Sequence, residues 1–139
     1  MYYDSLEWGI GGGVKARFLC QMFNRFYSIE ISKANIIETQ KQLKLMGIYN
    51  FKNNLISVEN PNDALKKIGK NKIDFILCAA VFPHMASKDY VFNVLKIMNK
   101  MMGVVILRVK IIIIMKIFYH LLLLEHKNLK IFLFKIIMK

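Results

Sequence analysis

Cysteine is nearly missing from this 139-residue chain. The two present, Cys20 and Cys78, are too few for a disulfide framework and have no metal-ligand spacing. A reducing cytoplasm is therefore the expected compartment, with no metal. Acidic side chains are also scarce: nine Asp and Glu stand against 21 Lys and Arg, a formal net charge of +12. An excess of that size points in general to nucleic acid or an anionic membrane as a partner. Here it is almost all lysine scattered among isoleucine and asparagine, without an arginine-rich patch interleaved with aromatics. Specific nucleic-acid binding is not expected. A bilayer-spanning apolar run is lacking as well. The nearest candidate, "IIIIMKIFYHLLLL" at 111–124, falls short of the about 20 residues a span requires and is interrupted by Lys116. The opening "MYYDSLEWG" has neither the basic start nor the apolar stretch of a secretory signal. No transmembrane span is expected, and weak association with a membrane surface is left to the tail.

What is present suffices for one domain with a real core, since 55% of residues are hydrophobic and 12% aromatic. Two compositions meet near residue 110. Residues 1–110 alternate apolar runs with amphipathic stretches and turns, whereas 111–139 are Ile, Leu, Phe and Lys with little punctuation. In the first part "SLEWG" reads as a strand ending in a glycine turn, 13–25 as a helix and 26–31 as a second strand. Ser32 caps a helix over 33–46 that Gly47 stops, with Ile36, Ile37, Leu43 and Met46 near one face. A third strand is expected at 54–59, a short helix at 63–69 and a doubly buried strand at 73–80. An amphipathic helix over 87–101 and a fifth strand at 103–109 follow. Strands alternating with helices predict an α/β fold with a parallel sheet and right-handed crossovers.

The densest signal is "EWGIGGG" at 7–13. A strand feeding such a turn and then a helix brings backbone N–H groups around one ligand. Missing Cβ atoms let that ligand lie against the main chain. The dinucleotide fingerprint G-x-G-x-x-G/A fails, because after Gly9 and Gly11 the third small residue is replaced by Val14. A phosphate loop fails too, since Gly13 is followed by Val14, Lys15 and Ala16 with no hydroxyl for Mg²⁺. The pattern is instead E-x-G-x-G-x-G: Glu7, Gly9, Gly11, Gly13. A second acid, Glu30, closes the second strand 19 residues after Gly11, the spacing at which a carboxylate takes ribose hydroxyls.

"LEWGIGGG" resembles motif I of the class I S-adenosylmethionine-dependent methyltransferases, and the resemblance covers roughly residues 5–109. It implies a Rossmann-like methyltransferase fold of about five parallel strands in the order 3-2-1-4-5. It also implies S-adenosyl-L-methionine as cofactor and transfer of its methyl group to an acceptor that the sequence does not identify. Gly9, Gly11 and Gly13 would then cradle the cofactor, Glu7 would hold its amino-acid end and Glu30 its ribose. "IDFILCAAVFPHM" looks like the segment after strand four in the same family, with Cys78, Ala79 and Ala80 along the cofactor edge. His84 is the candidate for acid–base work, although a histidine that only fixes the turn is the simpler reading. Methyl transfer from a sulfonium needs little beyond alignment and desolvation, so a missing base does not exclude it. Neither N-P-P-Y nor D-P-P-Y occurs, which disfavours amide and adenine acceptors.

Three departures from the family pattern stand out. The chain starts just before strand one, without the helices that cover the cofactor in many relatives. "NKMMGVV" keeps only Gly103 of the usual Pro-Gly-Gly turn before strand five. The expected closing helix and antiparallel strand pair are replaced by the tail. That tail reads as a helix through Leu129, Phe132, Leu133, Ile136 and Ile137, or as a hairpin around "EHKN". A truncated or frame-shifted coding sequence near residue 108 is one explanation. The expectation is weak cofactor binding and slow or absent turnover by these 139 residues alone. The alternative is a non-catalytic remnant or a peripheral membrane-associated protein that uses its Ile/Leu/Lys-rich tail.

Overall fold

The structure is a computed structural model that describes residues 3–102 and the two-residue strand Ile112–Ile113. Among the described residues five strands and four helices alternate: β1 (Asp4–Trp8), α1 (Ala16–Met22), β2 (Arg25–Glu30), α2 (Lys33–Leu45), β3 (Phe51–Leu55), α3 (Asp63–Ile68), β4 (Phe75–Leu77), α4 (Lys88–Met101) and β5 (Ile112–Ile113). A 3₁₀ turn, Phe82–His84, lies between β4 and α4. All pairings are parallel and the sheet order is β3-β2-β1-β4-β5. The order reverses between β1 and β4, which makes the C-terminal end of β1 the switch point where open α/β sheets bind ligands.

The pleat sorts the side chains onto two faces. Leu6 and Trp8 of β1, Ile29 of β2 and Ile76 of β4 join the larger core with Val94, Met98 and Met101 of α4. Phe26 of β2 and Leu77 of β4 join the smaller core with Ala16, Leu19 and Cys20 of α1 and Leu43 of α2. Alternation therefore points Ser5 and Glu7 of β1, and Ser28 and Glu30 of β2, to the α1/α2 side. All four are buried. Polar side chains thus occupy sheet-face positions that an ordinary core would fill with valine or isoleucine.

Local chemistry explains the element ends. Ser32 accepts from the Asn35 amide at 3.3 Å and opens α2, while Gly47 leaves it at φ +69°. Ser87 does the same for α4 through the Tyr90 amide at 3.1 Å. Asn50 ties down the end of α1 by donating from Nδ2 to the carbonyls of Cys20, Phe23 and Asn24.

Several boundaries differ from the sequence expectation. Helix α1 covers Ala16–Met22 rather than 13–25, because residues before it belong to the glycine turn and Phe23 is extended. Strand β3 runs Phe51–Leu55 rather than 54–59. Its asparagines are poor strand formers, but Asn54 Nδ2 donates to the Ser28 and Lys52 carbonyls and Ser28 Oγ to Asn53. Strand β4 is shorter than 73–80 because Ala80 turns the chain at φ +60°. On α2 only Thr39 and Leu43 are buried, and Ile37 and Met46 face solvent. The strand expected at 103–109 lies outside the described residues, and the partner of β4 is Ile112–Ile113, inside the segment set apart as the tail. The remaining tail readings also lie outside the described residues. Among the described residues no helix is long and apolar enough to cross a membrane.

Candidate active site

The loop from Gly9 to Gly13 crosses the top of β1, and its glycines do different jobs. Gly9, at φ +77°, is held by a hydrogen bond from its amide to the Ile29 carbonyl at 2.8 Å. A Cβ there would meet Val81 Cγ2 at 2.3 Å, so the loop after β4 presses on bare backbone. Gly13, at φ +76°, has Thr39 under it, 2.7 Å from where a Cβ would stand. Thr39 Oγ1 in turn donates to the Gly11 carbonyl at 3.2 Å. Gly11 also has positive φ, at +54°, but a Cβ there would meet nothing within 4 Å. Two of the glycines therefore let protein pack against protein, and the third leaves open space above the loop.

That space is a cleft of about 280 Å³ over the C-terminal ends of the strands. Gly9, Gly11 and Glu30 form its floor, and Ile31, Val58, Val81, His84 and Tyr90 are among the residues around it. Its walls are mainly apolar, the usual make-up of a small-molecule site with a few placed polar groups. Glu30 is one of those groups. Its Oε2 accepts from the Gly11 amide at 3.0 Å, and its Oε1 accepts from Ile31 at 2.8 Å and Ser32 at 3.0 Å. A carboxylate offers about four acceptor positions, so the oxygen facing the loop retains capacity for a hydroxyl donor.

Glu7 is wholly buried and does not line the cleft. Its charged contact is Lys15, whose Nζ stands 3.1 Å from Oε1 while the lysine side chain is 45% exposed. Beyond that ion pair, neither carboxylate oxygen has a hydrogen-bond partner among the described residues. Burial pushes the Glu7 carboxyl up to about 7; Lys15 pulls it down and the neighbouring Glu30 charge adds a smaller upward push.

The sequence-selected residues thus divide. Gly9, Gly11, Glu30 and His84 meet at the cleft, and His84 is exposed on its rim. Gly13 supports the loop from behind. Cys78 is buried in the larger core, where desolvation pushes its thiol up to about 12, and Cys20 is likewise raised to about 11. Such thiols are inert. Ala79 packs against the smaller core, and of Cys78, Ala79 and Ala80 only Ala80 lines the cleft. Sequence reasoning missed Tyr90, Val58 and Ile31. Tyr90 lies in the first turn of α4, where the parallel topology aims a helix start at the strand C-termini; that position was a usable signal. Its phenol is raised by burial and by the Glu59 charge. Among the described residues no group of three His, Cys, Asp or Glu could hold a metal ion.

An open parallel sheet with a glycine loop at the switch point and an acid closing the next strand defines a Rossmann-like nucleotide-binding architecture. The methyltransferase-domain family model matches residues 6–107, and the chain belongs to the class I S-adenosylmethionine-dependent methyltransferase family. Solved structures repeat the fold. A SAM-dependent methyltransferase from Aquifex aeolicus superposes with TM-score 0.58 at 18% identity, covering 73% of this chain and 51% of that one. An S-adenosylmethionine-dependent methyltransferase from Clostridium acetobutylicum gives 0.64 at 17%, covering 74% and 39%. Phosphoethanolamine N-methyltransferase 1 of Haemonchus contortus, solved with phosphoethanolamine and S-adenosylhomocysteine, gives 0.63 at 13%, covering 74% and 20%. Identities this low show shared fold alone. The chain spans about half or less of the length of these relatives. No curated protein matches the sequence.

Proposed function

We propose that the chain binds S-adenosylmethionine in the cleft above the glycine loop and serves methyl transfer to an acceptor entering beside His84 and Tyr90. The observation that carries this is Glu30: a buried carboxylate at the end of β2, bonded to the Gly11 amide and still open to the cleft. A nucleoside ribose presents the pair of hydroxyl donors such an acceptor needs. The open side of Gly11 fits a ligand lying on the main chain. The cofactor, when bound, supplies a methyl group on a positively charged sulfur. The chain's own residues do the rest. Gly9 and Gly11 keep the floor free of side chains, Glu30 accepts from the ribose, and Ile31, Val58 and Tyr90 exclude water around the base and the reacting centre. His84 is placed to take a proton from an acceptor at the rim. The cytoplasm is the proposed compartment, in keeping with two free, buried thiols.

Isothermal titration with S-adenosylhomocysteine tests the reading. One site is expected, weakened by ~1–3 kcal/mol in Glu30→Ala as a charged acceptor is lost. Absence of both heat and thermal shift at millimolar ligand would remove the proposal. Methyl transfer is read separately, from radiolabelled methyl reaching small-molecule, lipid, protein and RNA acceptor pools.

A further inference from the structure

Parallel topology gives the domain two unlike ends. The cleft end holds Glu7 and Glu30 near their strand ends and Asp63 and Asp89 in the first turns of α3 and α4, with Lys15, Lys33 and Lys88 among them. The helices return to the opposite end, where the strands begin, about 17 Å away for a five-residue strand such as β1. Arg25 opens β2 there, Lys44 and Lys100 lie in the last turns of α2 and α4, and Lys70 and Lys72 lead into β4. Backbone bonds hold these pieces together: the Asn71 amide donates to the Lys100 carbonyl at 3.1 Å, and the Lys72 amide to the Met101 carbonyl at 2.8 Å. All five basic side chains are exposed. Among the described residues the acids at this end are Asp4 and Asp74. Both are half-buried, and Asp74 Oδ2 already accepts from the Asp4 amide at 2.8 Å.

Lysines at helix C-termini complement the helix dipole and by themselves imply no partner. The same end also exposes apolar side chains, which the dipole does not explain. Met22 ends α1, Leu45 ends α2, and Met46 and Tyr49 follow on the way to β3. Met22, Leu45 and Tyr49 are each 74% exposed. Asn50, next in the chain, donates to the Cys20, Phe23 and Asn24 carbonyls, so this apolar stretch stands beside the end of α1. Cations interspersed with exposed aliphatic and tyrosine side chains suit the interface of an anionic bilayer. Headgroup phosphates meet the charges there, and the apolar groups enter the acyl boundary. We propose that this end of the domain docks on an anionic lipid surface and turns the cleft toward water. A nucleic acid fits less well. Four of the five cations are lysines, which make no bidentate contacts, and Leu45 and the two methionines offer no plane on which a base can stack. The surface belongs to the folded domain and does not rest on the cofactor assignment.

Co-sedimentation of the full chain with phosphatidylcholine vesicles, with and without phosphatidylserine, tests this. Binding is expected only with phosphatidylserine present and should fall as salt is raised. Lys72→Glu/Lys100→Glu should weaken it about 25-fold or more, since each lysine near such a surface is worth about fivefold. Lys33→Glu/Lys88→Glu, at the cleft end, changes the net charge equally and should weaken it less than about threefold, because charges beyond a Debye length are screened. Leu45→Ser alters no charge and should cost about fivefold through lost apolar contact. The vesicle-free thermal midpoint reports folding. Should the reversed pair unfold, Lys72→Gln/Lys100→Gln is the milder variant, expected to weaken binding in the same direction. Equal weakening by the two charge reversals would mean that net charge or the apolar C-terminal segment carries the affinity, and would overturn the proposal. So would equal binding to phosphatidylcholine alone, binding untouched by every variant, or no binding by the parent. A single-stranded RNA homopolymer that binds the parent but not Lys72→Glu/Lys100→Glu, with vesicles left unbound, would assign the surface to nucleic acid instead.

Discussion

The C-terminal ends of β1 and β2 each carry a buried glutamate on the same face of the sheet, yet the two are stabilised in different ways. Glu30 is held by three backbone amides, from Gly11, Ile31 and Ser32. Glu7 has an ion pair with one lysine, and neither of its oxygens has a hydrogen-bond partner among the described residues. Main-chain donors are fixed by the fold, so Glu30 is part of the loop's architecture as well as the proposed ribose acceptor. Glu7 depends on a partly exposed side chain for its countercharge, and burial raises its carboxyl to about 7 although Lys15 pulls it down. Adjacent strands of one sheet thus carry one carboxylate fixed by the main chain and one matched by an adjustable side chain.

Removing the rigid member should have the largest effect. Glu30→Ala leaves three amides without an acceptor and frees the loop from α2, for an expected loss of about 3 kcal/mol in urea denaturation. A loss under about 1 kcal/mol would mean that water replaces the carboxylate readily and that the loop is not built on it.

Neutralising the adjustable member should have the opposite sign. The folded-state pKa of Glu7 lies above its ordinary 4.5, at about 7, so folding favours its protonated form. The associated stability is fully present below about 4.5 and is lost as pH rises through about 7. Glu7→Gln should therefore be more stable than the parent at pH 8, by up to about 2 kcal/mol once the lost Lys15 contact is set against the relieved burial. The difference should shrink to nearly nothing at pH 4.5. Denaturation at both pH values checks it, and a parent that gains stability between pH 5 and 8 through this residue would contradict the assignment.

A finer contrast lies within the loop. Gly13→Ala combines a left-handed backbone with Thr39 at 2.7 Å, whereas Gly11→Ala meets the same backbone cost in open space. The first should lose about 2 kcal/mol of stability and the second about 1. Ligand binding should reverse the ranking among folded molecules, because only the Gly11 methyl intrudes on the cleft. Calorimetry on both variants decides it.

Much of this was legible in the residues. The spacing of Glu7, Gly9, Gly11 and Gly13, with Glu30 beyond, survives as a spatial cluster because parallel βαβ topology brings successive strand ends together. Less legible was what each group does. Nothing in "EWGIGGG" says that two of its glycines make room for Val81 and Thr39, or that Gly11 spends its amide on Glu30. Those partners come from other elements, and their identity depends on tertiary packing. Strand β3 was displaced for a related reason: "FKNNL" has weak strand propensity, and its pairing is set by β2 and by asparagine hydrogen bonds. The apolar cleft residues were hidden because Ile31, Val58 and Tyr90 look like ordinary core in one dimension.

Amide hydrogen exchange with and without saturating S-adenosylhomocysteine tests the central claim most directly, since it reads the loop, the end of β2 and the loop after β4 in one experiment. Gly11 should already exchange slowly in the free chain, through its bond to Glu30. Ligand should slow residues 9–13, 29–32 and 80–85 further while leaving α3 and the middle of α4 unchanged. Protection that spreads evenly over the sheet, or none at 9–13 and 29–32, would contradict a cofactor cleft built on the glycine loop and Glu30.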